Sequence, residues 1–197
     1  MKNKIIIPIV AASAVIFAGC GTNAHYVSTG GNQNIVSIGQ INIQDYIQAA
    51  NSATSDLLAS GALDRVTNPP AVVAISRIVN NTGQQIDTDL LTKKIRVALL
   101  QSGKALFTTT FGLGGTAEDP MAKGLQQENE FKSEQKTTRT PDFTLSGKII
   151  QLAVKAGDTS QSTYSFQLSL TDPKSGLAVW EADKDITKQG TRASVGF

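Results

Sequence analysis

Between Tyr164 and Leu170 the chain reads Tyr-Ser-Phe-Gln-Leu-Ser-Leu, with a large apolar residue at every second position. Side chains along an extended strand point alternately to opposite faces, so this period of two marks a strand with one apolar and one polar face. Asp172-Pro173-Lys174-Ser175-Gly176 follows as a tight hairpin connection, leading into a further strand from Leu177 to about Ile186. Phe143 to about Ala156 reads as the strand before them. The C-terminal third is therefore expected to be a three-stranded meander.

The preceding segments carry a different period. Ile43, Tyr46, Ile47, Ala50, Ala53, Leu57 and Leu58 recur at spacings of three and four, giving one apolar helical face that Gly61 terminates. Asn68-Pro69-Pro70 breaks the chain ahead of a β-rich run, Ala71 to Asn80. A second helix is expected from about Thr88 to Ser102, with Leu91, Ile95, Ala98 and Leu99 inward, Asp87 or Thr88 as its cap and Gly103 as its stop. Residues 105–111 read as the next strand. Residues 112–124 read as a glycine-containing loop, a candidate for an exposed adaptable surface, with a simple connector the better reading. The polar stretch from Met121 to Thr138 is helical in its first half. Helix, strand, helix, strand, helix and meander together predict an α+β domain, helices packed on a mixed sheet of four or five strands.

Catalytic signatures are missing. No HExxH, GxSxG, CxxC or P-loop pattern occurs in the 197 residues. The chain has one histidine, His25, in a segment that reads as a solvated linker, and one cysteine, Cys20. His- and Cys-based catalysis and zinc sites built from them have no residues to use. Gly112-Leu113-Gly114-Gly115-Thr116-Ala117 matches G-x-G-x-x-G/A, but it leads into Glu118-Asp119-Pro120 rather than a helix opening inside the pattern. Glu134, about 20 residues on, lacks a strand to hold it, so a loop is the better reading. No carboxylate pair stands out as a general acid and its ionised partner. The chain reads as a non-enzyme without a cofactor. Setting aside Lys2 and Lys4 leaves 16 basic against 16 acidic residues. A neutral domain has no general pull toward nucleic acid.

The N-terminus indicates location. Met1-Lys2-Asn3-Lys4 is a short basic region and Ile5 to Phe17 an apolar one of signal-peptide length. Phe17-Ala18-Gly19-Cys20 resembles a bacterial lipobox, with Phe17 where leucine is usual. On this reading residues 1–19 are a signal peptide and Cys20 is the lipidated first residue of the mature chain. More than one acyl chain is needed for firm anchoring, which triacylation of Cys20 would supply. Gly21 follows in place of the aspartate that retains such proteins at the inner membrane, so the destination is the periplasmic face of the outer membrane. Residues 20–41 form the lipidated start and a Gly-, Asn-, Ser- and Thr-rich tether, 42–190 the globular domain and 191–197 a tail.

From Ile75 to Phe107 the chain reads ISRIVNNTGQQIDTDLLTKKIRVALLQSGKALF, and this stretch resembles the LpoB family of lipoprotein activators of penicillin-binding proteins. Pro141 to Ile149, Tyr164 to Gly190 and the lipobox are similar to the same family, so the resemblance spans about residues 43–190. It implies a TolB-N-like α+β domain. It also implies a partner, a bifunctional peptidoglycan synthase of the class A penicillin-binding proteins, which such proteins stimulate without chemistry of their own. Lys104 and Trp180 fall in matching motifs. Lys104 reads as flanking a strand and Trp180 as filling the core. The tether contains no proline and is short, unlike the long Pro-rich tether of enterobacterial members. That shortness favours an alternative, a structural lipoprotein of an envelope assembly such as a flagellar ring or a curli-type secretion complex.

Overall fold

The computed structural model describes residues 24–31, 33–110, 117–133 and 139–191. Its elements are α1 (Ile43–Ser60), a 3-10 turn (Ala62–Arg65), β1 (Ala71–Asn81), α2 (Asp89–Gln101), β2 (Ala105–Phe107), α3 (Pro120–Ser133), β3 (Phe143–Ala156), β4 (Thr159–Asp172) and β5 (Leu177–Thr191). The order is the one expected, and the α+β reading holds. Five strands form one mixed sheet in the order β2-β1-β3-β4-β5. β1 runs parallel to both β2 and β3, while β3, β4 and β5 form the antiparallel meander. Parallel neighbours cannot be joined by a hairpin, and α2 provides the crossover from β1 to β2.

Helices α1 and α2 cover one face of the sheet. Tyr46, Ala49, Ala50, Ala53 and Leu57 of α1 and Leu91, Ile95 and Leu99 of α2 are buried against Leu145, Ile149, Tyr164, Phe166, Leu168 and Leu170. The alternating residues of β4 are therefore the floor of the core. Each fully buried aliphatic or aromatic side chain contributes roughly 1.5–3 kcal/mol. Tyr46 meets Phe166 edge to face, with ring centroids 6.2 Å apart. The α1 stripe is turned slightly from the expected one: Ala49 is inside, while Ile43, Ile47 and Leu58 are only half-buried. Of the two candidate caps of α2, Asp87 serves, its carboxylate accepting the Asp89 N–H at 2.8 Å. Gly61 and Gly103 end the two helices at φ of 67° and 71°, where a side chain is disfavoured. Trp180 is buried as expected, and its indole N–H donates to Asp56 at 2.8 Å. Lys104 flanks β2 and pairs with Asp64 at 2.7 Å.

Two expectations need correction. The strand read over 105–111 ends at Phe107, because the chain turns away and the Thr109 carbonyl accepts the N–H groups of Glu118 and Asp119. Phe111 and residues 112–116, including the rest of the glycine pattern, lie outside the described residues. The loop read over 112–124 is cut short by α3. Asp119 accepts the Ala122 N–H at 2.9 Å, and Pro120 occupies the first helical position, where its missing N–H costs nothing. Asp119-Pro120 is thus a helix start, and Gly124 sits inside the helix. The middle of α2 is tied to the segment leading into α3 by Arg96, whose guanidinium is bonded to Glu118 and lies 5.5 Å from the Phe107 ring centroid. That bond holds the Glu118 carboxyl below its usual range against a smaller opposing effect of desolvation, with further help from Lys93 at 3.5 Å.

The β4–β5 turn is built on Asp172. Its carboxylate accepts the Lys174 N–H and the Ser175 hydroxyl, each at 2.8 Å, and its carbonyl accepts the Gly176 N–H at 2.8 Å. The Lys174 and Ser175 bonds lower the Asp172 pKa in the folded chain. A carboxyl with a depressed folded pKa stabilises the fold above its unfolded value, about 4, and that contribution is lost as pH falls through the folded value. The gap in urea midpoint between the wild type and Asp172→Asn is therefore expected to be largest near neutral pH and to narrow below about pH 4. A gap independent of pH would show that the carboxylate charge is not what holds the turn.

Two features of β3 shape the open side of the sheet. The β1–β3 register shifts between Ile75 and Ile78, a bulge that places Gly147 opposite both Ile78 and Leu168. A Cβ at Gly147 would lie 2.2 Å from the Gln167 carbonyl oxygen and 2.9 Å from Leu168 Cδ2, so the strands close in here because no side chain keeps them apart. Further on, β1 leaves β3 at the Asn81–Ile150 pair, while β3 continues through Gln151–Ala156 paired only with β4.

Candidate functional site

Among the described residues, no helix packs on the face of the sheet opposite α1 and α2. Along β4 and β5 the residues that point there are polar or charged, the other half of the period-two pattern, and along β3 Thr144, Ser146 and Lys148 give way to Ile150, Leu152 and Val154. The bulge and the close approach at Gly147 lie in the floor of an open groove of about 770 Å³ on this face. Arg77 and Lys148 stand on its β1–β3 side, Glu181 and Asp183 on its β5 side, with Ser146 and Gln167 between them. Asp183 is oriented by neutral donors, the Ser165 hydroxyl and the Gln167 amide at 3.0 Å, and Glu181 accepts the Ser169 hydroxyl at 3.0 Å. Among the described residues neither Arg77 nor Lys148 forms an ion pair. The groove offers separated charges of both signs on a fixed backbone. It holds no nucleophile paired with a base, and among the described residues no group of three His, Cys, Asp or Glu could hold a metal ion. Such a surface can recognise a partner through charge and hydrogen bonding.

A second constellation lies at the start of α1. Lys188, on the helix-facing side of β5, is buried and pairs with the buried carboxylate of Asp45. Its ammonium also donates to the carbonyls of Gln40 at 2.7 Å and Ser37 at 3.3 Å and to Asn42 Oδ1, and it lies 5.5 Å from the Tyr164 ring centroid. The Gln84 side-chain N–H donates to the Gly39 carbonyl at 2.7 Å, and its Oε1 accepts the Ile41 N–H at 3.0 Å. Residues 37–41, read from the sequence as tether, are thus fastened to the domain. Local sequence does not reveal this arrangement, although continuing the inward alternation Trp180, Ala182, Lys184, Ile186 by one step places Lys188 inside.

Of the residues singled out by sequence, Cys20 lies outside the described residues, and His25 is exposed in the segment before the fastened stretch. No helix among the described residues is long and apolar enough to cross a membrane. The groove and the fastened stretch combine residues that sequence reasoning did not single out.

Residues 45–186 match the protein family described as peptidoglycan-synthase activator LpoB. The chain belongs to the LpoB family. The matched segment takes in α1, α2 and the sheet up to Ile186, including the strands that line the groove. Among solved structures, the LpoB C-terminal domain from Salmonella enterica is similar at 16% identity, covering 72% of this chain and 98% of that one with a TM-score of 0.43. The Escherichia coli LpoB C-terminal domain gives 17% identity, 72% and 98% coverage and a TM-score of 0.42. A PelC dodecamer from Paraburkholderia phytofirmans gives 20% identity, 65% and 82% coverage and a TM-score of 0.33. No curated protein matches the chain. LpoB-family proteins are regulators of peptidoglycan synthases rather than enzymes.

Proposed function

We propose that this LpoB-family chain is a lipid-anchored protein of the outer membrane that binds and stimulates a bifunctional peptidoglycan synthase, a class A penicillin-binding protein, and performs no chemistry itself. The family match over residues 45–186 carries this reading. The lipobox-like Phe17-Ala18-Gly19-Cys20 supports the anchor, with Cys20 as the acylated residue and residues 1–19 removed. The polar groove with its separated charges supports a binding role.

The decisive experiment measures glycan polymerisation by the class A synthase of the same organism with and without the domain starting at Asn34. A rate increase together with direct binding is the expected result, and absence of binding would sink the proposal. For the anchor, wild-type protein is expected to take up palmitate label and to fractionate with the outer membrane. Cys20→Ser is expected to lose the label, and a labelled Cys20→Ser protein would place the acyl group elsewhere.

One observation bears on the alternative of a structural lipoprotein in an envelope assembly. With residues 37–41 fastened, the span between Cys20 and Ser37 reaches at most about 60 Å when fully extended. The synthase must therefore project toward the outer membrane. Ring-shaped oligomers of the lipidated protein, with no synthase binding, would favour the assembly instead.

A further inference from the structure

β3 runs six residues past its last pair with β1, and from Leu152 to Ala156 five consecutive residues are exposed. Side chains on both faces of this stretch are open to solvent. Edge strands present unpaired backbone N–H and C=O groups, and proteins guard them with charges. β5, the outer strand on the other side, is guarded by Glu181, Asp183, Lys184 and Asp185. The open part of β3 has Lys155 alone, beside Leu152 at 66% exposure and Val154 at 55%.

Building on the synthase reading, we infer that the open edge of β3, Gln151–Ala156, takes up an extended acidic segment of the synthase as an additional strand. An extended chain is what can meet a row of backbone donors and acceptors, while Leu152 and Val154 offer apolar contact for its alternate side chains. The charge of the site specifies the partner. Lys155 is the charged residue of the open edge; Lys148 and Arg77 lie further back along the same side in the groove, whose Glu181 and Asp183 stand on the far, β5 side. None of the three is paired with a carboxylate among the described residues. A second copy of the chain fits less well. Six residues of edge span about 20 Å, and two such edges paired across a two-fold bury well under the roughly 1,200 Å² of a stable interface. Each edge would also bring Lys155 as its charged residue.

The test uses the full mature chain and the periplasmic region of the class A synthase from the same organism. Hydrogen exchange is read with and without the synthase, and affinity is compared for the wild type, Leu152→Glu/Val154→Glu and Lys148→Glu/Lys155→Glu. Circular dichroism checks that each variant is folded. The expected result is slowed exchange within residues 151–156 on binding, with affinity reduced at least about tenfold in both double variants and the second loss fading at high salt. Wild-type binding with no protection at 151–156 and unchanged affinity in both variants would overturn the edge as the docking site and leave the synthase reading intact. Failure of the wild type to bind would overturn both. Concentration-dependent dimerisation that Leu152→Glu/Val154→Glu abolishes would make a second copy the occupant and overturn the inference.

Discussion

Lys188→Ala is expected to destabilise the domain by about 3–5 kcal/mol, the cost of leaving one member of a buried ion pair without its partner. Asp45 would keep the Asn42 N–H at 2.7 Å, and the carbonyls of Ser37 and Gln40 and Asn42 Oδ1 would lose a shared donor. The paired substitution Asp45→Asn/Lys188→Met is expected to recover much of the loss, since exchanging both members for neutral groups removes the unpaired charge. The two substitutions have to be compared in urea unfolding, together with amide exchange at Gly39 to Ile41. The double variant separates stability from fastening: it is expected to restore much of the midpoint while those amides remain fast. A loss below about 1 kcal/mol in Lys188→Ala would mean the pair is solvated in solution and worth no more than a surface bridge.

Gly147→Ala is the second large effect. Its Cβ would meet backbone, the Gln167 carbonyl oxygen at 2.2 Å, with the Leu168 and Ile78 side chains at 2.9 and 3.2 Å. Side chains can rotate away, but the carbonyl belongs to the neighbouring strand and moves only if the β3–β4 ladder opens. The expected cost is at or above the upper end of the about 1–3 kcal/mol typical of overpacking, measured by urea or thermal unfolding. Gly147→Val should cost more. The contrast is Gly124, where a Cβ meets nothing within 4 Å and the residue lies in α3. Gly124→Ala is expected to be neutral or stabilising, because alanine loses less backbone entropy in a helix.

What the sequence made legible is what local periodicity encodes. Tyr164, Phe166, Leu168 and Leu170 place β4 and its buried face, and Asp172 to Gly176 place the turn, because side-chain alternation and turn chemistry are local. Asp119-Pro120 is equally local, a cap and a first-turn proline, yet the glycines before it favour a loop. The bulge at Ile75–Ile78 and the closeness at Gly147 were not legible, because each depends on which strand lies alongside. The same holds for the candidate site. Arg77, Lys148, Glu181 and Asp183 are far apart in sequence and come together through strand order alone. Residues 37–41 looked like linker because their partner, Lys188, lies about 150 residues away.

The fastening of those residues also sets how the domain responds to force. A chain held at its N-terminus and engaged elsewhere is under tension, and tension applied to a loose end peels the outermost element first. In this chain a pull on the N-terminal segment would arrive at Ser37 to Asn42, where one ammonium grips two carbonyls, a side-chain amide and the carboxylate of α1 at once. Those bonds share the load side by side and pass it into β5, which is paired with β4 from Leu177 to Thr191. Drawn by its leading segment, the domain is loaded across the sheet as one body instead of being unravelled from its first helix.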